Sequence, residues 1–223
     1  QQHVREVQLP VIASLADPQV EVRQMAAFAL GLIGDSSATE ALVEALNDPS
    51  PVVQGRAADA LGRIGAVDAA SVIGKVVAGY VTSAFEVAPE DMSYPQAPEV
   101  EAFRLGLYAL AQLEAFEPIA DAVLHDDGQP ILWWWPVAYA LQRLEDPRAL
   151  TALISLASVQ GTVGVALAAH GLGELRNPSA VDVLISLLDR DRRDNRVVAT
   201  AIRSLAKIDD ERATVALRRF VLI

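Results

Sequence analysis

The chain has 223 residues, 52% of them hydrophobic, a formal charge of −11 and a sequence pI near 4.7. That much apolar material supports an extensive core in one large domain or two small ones, and no apolar run approaches the roughly 18 residues a membrane helix needs. The acidic balance argues against a nucleic-acid partner, which requires clustered Lys and Arg, while leaving room for a local basic patch; the absence of cysteine excludes disulfides and thiolate metal sites.

From the N-terminus, Val4 to Leu15 reads as a helix. Val22, Ala26, Ala29, Leu30 and Ile33 then recur at spacings of three and four, which makes one face of a second helix. The small Ala residues in that stripe let a neighbouring helix approach closely. After a shorter helix from Ala38 to Leu46, the run Ala60-Leu61-Gly62-Arg63-Ile64-Gly65 repeats Ala29-Leu30-Gly31-Leu32-Ile33-Gly34 at a distance of 31 residues. Asp48-Pro49 precedes the later run as Asp17-Pro18 precedes the earlier one. Asp caps helix N-termini, and Pro suits a first helical position, where its missing N–H costs nothing.

The Leu that closes the second helix of each repeat returns at Leu30, Leu61, Leu110, Leu141, Leu172 and Leu205, at spacings of 31, 49, 31, 31 and 33 residues. Such a fixed period marks a repeat array. Further first helices read from Ala69 to Val77, Pro118 to Leu124, Ala149 to Leu156 and Ser179 to Leu188, and Asp210 to Val221 reads as a first helix without its partner. Gly34, Gly65 and Gly173 stand at or near the ends of second helices, where a left-handed residue is cheap for glycine. The expectation is a single all-α array over residues 1–223, about six helix pairs and a half.

The interval of 49 is one repeat of 31 plus an insertion of 18, Val81 to Pro98, joining the two helices of the third repeat. Pro89, Pro95 and Pro98 together with Glu86, Glu90 and Asp91 argue against a long helix there. Such a segment either folds over the array or is mobile. Gln1 in place of an initiator Met, and the apolar end Phe220-Val221-Leu222-Ile223, read as the limits of a piece of a longer chain.

These repeats resemble HEAT repeats in the short bacterial form, the phycobilisome-lyase HEAT-like repeat. The residues that carry the likeness are Asp17-Pro18, Val22-Arg23, Ala26-Ala27, Ala29-Leu30-Gly31, Ile33-Gly34-Asp35, Ala41-Leu42 and Leu46-Asn47-Asp48-Pro49. The family's Arg after the Val of the second helix is present as Arg23, where it caps or bridges to the Asp of the next repeat; Gln54 stands in its place one repeat later. The resemblance implies a right-handed α-solenoid and a soluble bacterial protein, cytoplasmic or periplasmic. A second likeness covers Pro98 to Leu144, where EVEAFRLGLYALAQL and WWWPVAYALQRLEDPRAL are similar to the HEAT region of bacterial proteins that also carry a cyclophilin-type prolyl isomerase domain. It implies further domains elsewhere in the parent chain, this part being the scaffold without the catalyst.

Little in the chain suggests catalysis or a metal. His3, His125 and His170 lie in different repeats, and none forms the His-Glu pairs that HEAT-like metal hydroxylases repeat on neighbouring helices. Neither a nucleophile elbow nor a P-loop is present. Asp126-Asp127-Gly128 lacks the remaining spacing of a calcium loop and reads as a polar turn. Asp189-Arg190-Asp191-Arg192-Arg193-Asp194 reads as a solvated, self-neutralising loop.

By the resemblance, second helices line a concave surface. Three columns at spacings of four share one helix face there. Two residues before the anchor Leu stand Phe28, Asp59, Tyr108, Tyr139, His170 and Arg203; four earlier stand Gln24, Gly55, Arg104, Trp135, Ala166 and Ala199; four later stand Leu32, Arg63, Gln112, Arg143, Glu174 and Lys207. The middle of this face combines Arg104, Tyr108, Trp135, Tyr139, Arg143 and His170, residue types enriched at interface hot spots. Trp133 and Trp134 are expected against neighbouring helices and Trp135 outward. Pro136 places a helix start or a kink here. The first reading is therefore a non-catalytic scaffold without a cofactor, holding a protein or peptide segment. The alternative, implied by the family, is a bilin lyase-like subunit whose Arg104 and Arg143 pair with tetrapyrrole propionates. Lesion recognition on DNA needs a basic cleft, which the charge opposes.

Overall fold

Thirteen α-helices occur among the described residues of the structure, a computed structural model that describes residues 2–189 and 193–221, with side chains at 8–189 and 193–220. They are α1 (Gln2–Ala13), α2 (Val20–Ile33), α3 (Thr39–Ala45), α4 (Pro51–Ile64), α5 (Ala70–Tyr80), α6 (Pro98–Gln112), α7 (Phe116–Val123), α8 (Trp135–Leu144), α9 (Leu150–Ser158), α10 (Val163–Leu175), α11 (Val181–Ser186), α12 (Asn195–Leu205) and α13 (Glu211–Val221). Their number matches the six helix pairs and a half that the period predicts. Among the described residues there is no strand, only an antiparallel bridge between Leu124 and Pro130 that closes the Asp126-Asp127-Gly128 turn. The His3 side chain, residues 190–192 of the mixed-charge loop and the terminal 222–223 lie outside the described residues.

Packing divides the chain into two units: Gln1–Glu86 with Ser93–Ala122, and Val87–Met92 with Val123–Ile223. In the first, α2, α4 and α6 lie side by side, with α3 against α4 and α5 against α6. Its core holds Leu30, Leu42, Leu61, Ile73, Phe103, Leu107 and Leu110, all fully buried. The glycines after Leu30 and Leu61 set the helix separation. An ideal Cβ on Gly31 would lie 2.8 Å from Ala60 Cα, and one on Gly62 2.7 Å from Ala109 Cα, distances no side chain tolerates. Arg23 Nε and Nη2 donate to Asp48 Oδ2 and Oδ1 at 2.6 and 3.0 Å, so the family arginine does bridge to the Asp of the next repeat. A planar guanidinium fits a carboxylate in this two-point way, and Arg holds the geometry better than Lys would.

In the second unit α8, α10 and α12 lie side by side, with α9 against α10 and α11 against α12. Trp134, Leu141, Leu153, Leu172, Leu184 and Leu205 are buried at its centre. Leu172 and Leu205 are thus anchors in fact as well as in register, and truncating one to Ala costs on the order of 2–5 kcal/mol.

Helix ends follow the sequence in part. Gly34 and Gly65 take left-handed φ values of 70° and 78° and close α2 and α4. Gly173 does not play this part: it lies inside α10 against Ser204, and Arg176, at φ 50°, is the left-handed residue. Asp35, Asp146 and Asn177 each accept from a backbone N–H two residues on, at 2.9 Å, and so start the short 3-10 turns that lead into α3, α9 and α11. Pro18 and Pro49 stand ahead of their helices; Pro51, Pro98 and Pro136 stand in the first turns of α4, α6 and α8. Side-chain caps of this kind contribute about 1 kcal/mol each.

Candidate functional site

The six candidate residues divide between the units. Arg104 and Tyr108 belong to α6 in the first; Trp135, Tyr139 and Arg143 on α8 and His170 on α10 belong to the second. Arg104 lies over the Tyr108 ring in the first unit, and α8 lies beside α10 in the second.

In the first unit the candidate arginine already has partners. Arg104 Nη2 lies 2.5 Å from Glu101 Oε2, one turn back on the same helix, and its guanidinium carbon stands 5.3 Å from the centre of the Tyr108 ring. Burial works against the charge on Arg104, but Glu101 and Tyr108 together outweigh it and hold the pKa above its ordinary value. Glu101 in turn accepts from the Gln96 backbone N–H at 3.2 Å.

In the second unit the aromatic run meets the insertion. Trp134 precedes α8 in an extended conformation, and the helix starts at Trp135 with Pro136 in its first turn. Proline is tolerated there because no carbonyl waits for its missing N–H. Trp134 is buried as expected. Trp133, expected inside, is 41% exposed, since the extended backbone turns successive side chains to opposite sides. Trp135 lies half-buried beneath residues of the insertion. Its backbone N–H donates to Pro89 O at 3.0 Å. Its indole N–H and that of Trp134 both donate to Asp91 O, at 2.8 and 2.9 Å. The two rings meet edge to face, 6.4 Å between centroids. One residue earlier, the Glu90 carboxylate accepts from the backbone N–H groups of Val163 (2.6 Å) and Gly164 (3.1 Å), the first residues of α10. Those N–H groups have no partner inside the helix, and the helix dipole favours a negative charge there. The insertion is therefore ordered over 87–92, forming a strap across the starts of α8 and α10.

Beyond the strap an exposed row follows the predicted columns. Tyr139 is half-buried, while Arg143 and His170 are exposed, as are Arg203 on α12 and Lys207 just after it. Glu174, one turn from His170, receives the Lys207 ammonium, and His170 Nε2 stands 3.6 Å from the same carboxylate oxygen. The Lys207 hydrogen bond is the chief reason the Glu174 carboxyl is held below its ordinary pKa. Arg203 Nη2 donates to Thr200 Oγ1 at 3.2 Å. The first unit holds fifteen carboxylates against six Lys and Arg, the second fourteen against twelve, which together make the 29 and 18 of the chain. The acidity is thus concentrated in the first unit, and the row in the second is cationic.

Sequence reasoning missed Glu90 and Asp91, whose partners lie 73 and 43 or 44 residues away along the chain. The negative charge within a proline-bearing insertion was the one available signal. A cavity of about 590 Å³ lies elsewhere in the second unit, lined by Ile185, Leu188, Val215 and Phe220 among others. Among the described residues no group of three His, Asp or Glu side chains could hold a metal ion, and no helix is long and apolar enough to cross a membrane.

A HEAT-repeat family model matches residues 9–78 and 165–222, more than half of the chain. No curated protein matches the sequence. Among solved structures, an engineered protein is similar at 22% identity over 95% of this chain and 60% of its own, with a TM-score of 0.57. The complex of CpcE and CpcF of phycocyanin lyase from Nostoc sp. PCC7120 is similar at 20% identity over 98% and 82%, with a TM-score of 0.49. Computationally designed armadillo repeat proteins for modular peptide recognition are similar at 17% identity over 96% and 88%, with a TM-score of 0.44. At such identities the likeness is one of fold.

Proposed function

This chain belongs to the HEAT-repeat family, and from that premise we propose that it is a non-catalytic scaffold that holds a segment of another protein on the second unit. Solenoid repeats bury their cores between neighbours and leave long faces of adjacent helices exposed for binding. The observation that supports this reading is the row of Tyr139, Arg143, His170, Glu174 and Arg203 on α8, α10 and α12, with Lys207 just after α12, which keeps one register and carries a net positive charge in a chain of charge −11. Such a row favours a partner segment rich in carboxylates, because complementary charge speeds encounter and rejects like-charged competitors. Tyr139 supplies apolar area at small entropic cost.

The test is selection of peptides from a displayed library on the intact chain. Selected peptides are expected to be acidic and to lose at least tenfold in affinity when Arg143→Glu and Lys207→Glu are combined. Peptides that bind this variant as well as the wild type would place the interface elsewhere, and an empty selection would overturn the scaffold reading. The tetrapyrrole alternative asks for two guanidinium groups to meet propionates; Arg104 is already engaged by Glu101 and Tyr108. Bilin absorbance before and after mixing with the protein decides that alternative.

A further inference from the structure

The strap and the row share their helices: Trp135 begins α8 one turn before Tyr139, and Val163 begins α10 two turns before His170. Five hydrogen bonds hold the strap here: Trp135 N to Pro89 O, Trp134 Nε1 and Trp135 Nε1 to Asp91 O, and Val163 N and Gly164 N to the Glu90 carboxylate. All five run the same way, with donors at or just before the helix starts and acceptors on the strap. Three of them are read from main-chain carbonyls, and two from a carboxylate. Asp91 N donates to Ala88 O at 2.9 Å, so Pro89 and Glu90 form a turn; a segment in the same turn, with one acidic side chain between two carbonyls, satisfies the whole set, whatever chain it comes from. Gly161 keeps room for that carboxylate. A Cβ there would stand 2.6 Å from Glu90 Oε1.

We infer that Pro89-Glu90-Asp91 is a tethered ligand, seated in a subsite that an acidic segment of a partner protein takes in its place. The inference rests on the scaffold reading above and deepens it: the partner segment makes the same turn, places a Glu or Asp at the start of α10, and continues along the cationic row. A segment on a short tether has an effective concentration on the order of millimolar. The strap therefore excludes weak competitors and yields to a partner that also engages Tyr139, Arg143 and Lys207.

The test uses the full chain with Pro89-Glu90-Asp91 replaced by Gly-Ser-Gly, and a fluorescein-labelled peptide of the chain's own Glu86-Val87-Ala88-Pro89-Glu90-Asp91-Met92-Ser93. Fluorescence anisotropy is expected to show the peptide binding the replaced chain at least tenfold more tightly than the wild type. A peptide with Gln in place of the glutamate should lose most of that gain. Equal binding to wild type and to the replaced chain, the latter folded by circular dichroism, would overturn the inference. If the replaced chain does not fold, the full chain carrying Glu90→Gln takes its place; it should bind the unaltered peptide several-fold more tightly than wild type, and equal binding overturns the inference again. Adding Arg143→Glu to the replaced chain separates the two readings. Strap-peptide binding that survives keeps the subsite even if the row does nothing, whereas library peptides held by the row with no strap-peptide binding would keep the row and remove the tethered ligand.

Discussion

Gln142 packs on Gly171 in the reverse of the arrangement that Gly62 makes with Ala109. In the earlier repeat the residue after the anchor Leu is the glycine and the next helix presents an Ala; here the residue after Leu141 is a glutamine and the next helix presents the glycine. An ideal Cβ on Gly171 would stand 2.8 Å from Gln142 Cβ, and one on Gly173 2.7 Å from Ser204 Cα. The helices approach equally closely in both cases, with the small residue on opposite sides of the contact.

Gly171→Ala and Gly173→Ala should therefore each destabilise the protein by roughly 1–3 kcal/mol through overpacking. Gly34→Ala meets no atom within 4 Å but must hold φ at 70°, and should cost about 1 kcal/mol through the backbone alone. Urea denaturation of the three variants measures this. A Gly173→Ala variant as stable as the wild type would show that the α10–α12 contact is looser than described.

The Arg23–Asp48 bridge carries a pH signature. Burial raises the Asp48 carboxyl, but the Arg23 guanidinium and the Ser50 N–H outweigh it, and its pKa lies below the ordinary 3.8. A group depressed on folding contributes stability that is present above its unfolded pKa and lost as pH falls through the folded one. Glu174, Asp146 and Asp210 are depressed too, each chiefly by a basic partner. Thermal stability should thus fall as pH drops below about 4. Arg23→Gln should flatten that fall, because Asp48 then loses the partner that lowered it. An unchanged acid limb in the variant would remove the bridge from the account.

Glu90→Ala leaves two helix-start N–H groups without their acceptor and should cost about 1–2 kcal/mol. Glu90→Gln keeps an acceptor but loses the charge that suits the helix dipole, and should cost about 0.5–1 kcal/mol. Hydrogen exchange at Val163 and Gly164 should accelerate in both, more in the alanine variant. Equal protection in all three proteins would mean that the strap does not cap α10.

Trp134→Phe retains most of the buried ring and loses one indole donor to Asp91 O; it should cost about 1–2 kcal/mol, against about 3–5 for Trp134→Ala. Arg143→Glu, on an exposed position, should shift stability by no more than about 0.5 kcal/mol. Chemical denaturation followed by tryptophan fluorescence separates these effects, and a large loss with Arg143→Glu would mark that residue as structural.

Much of the fold was legible in the sequence because a repeat states the same pattern many times. The six anchor Leu positions are all buried, and Pro136 marked a helix start or a kink, of which the structure shows the start. The candidate site was legible only as a register. Columns at spacings of four put Tyr139, Arg143 and His170 on one face, but pattern could not tell that Arg104 would spend its charge on Glu101 or that Trp133 would stand outward. Gly173, read near a helix end, proved to be a packing residue, because periodicity cannot separate a glycine that turns the chain from one that admits a neighbour.

By itself the sequence determined the period, the helix pairs, the place of the insertion and the cationic register in an acidic chain, all of which depend on residues near one another along the chain. Only the tertiary structure decided what the insertion does. The acceptors of Pro89, Glu90 and Asp91 find donors more than forty residues away, on two helices whose starts are neighbours only after the array has packed. No local spacing encodes that meeting: it comes from buried Leu and Gly contacts that bring the free N–H groups of α10 and the indoles of Trp134 and Trp135 to one place.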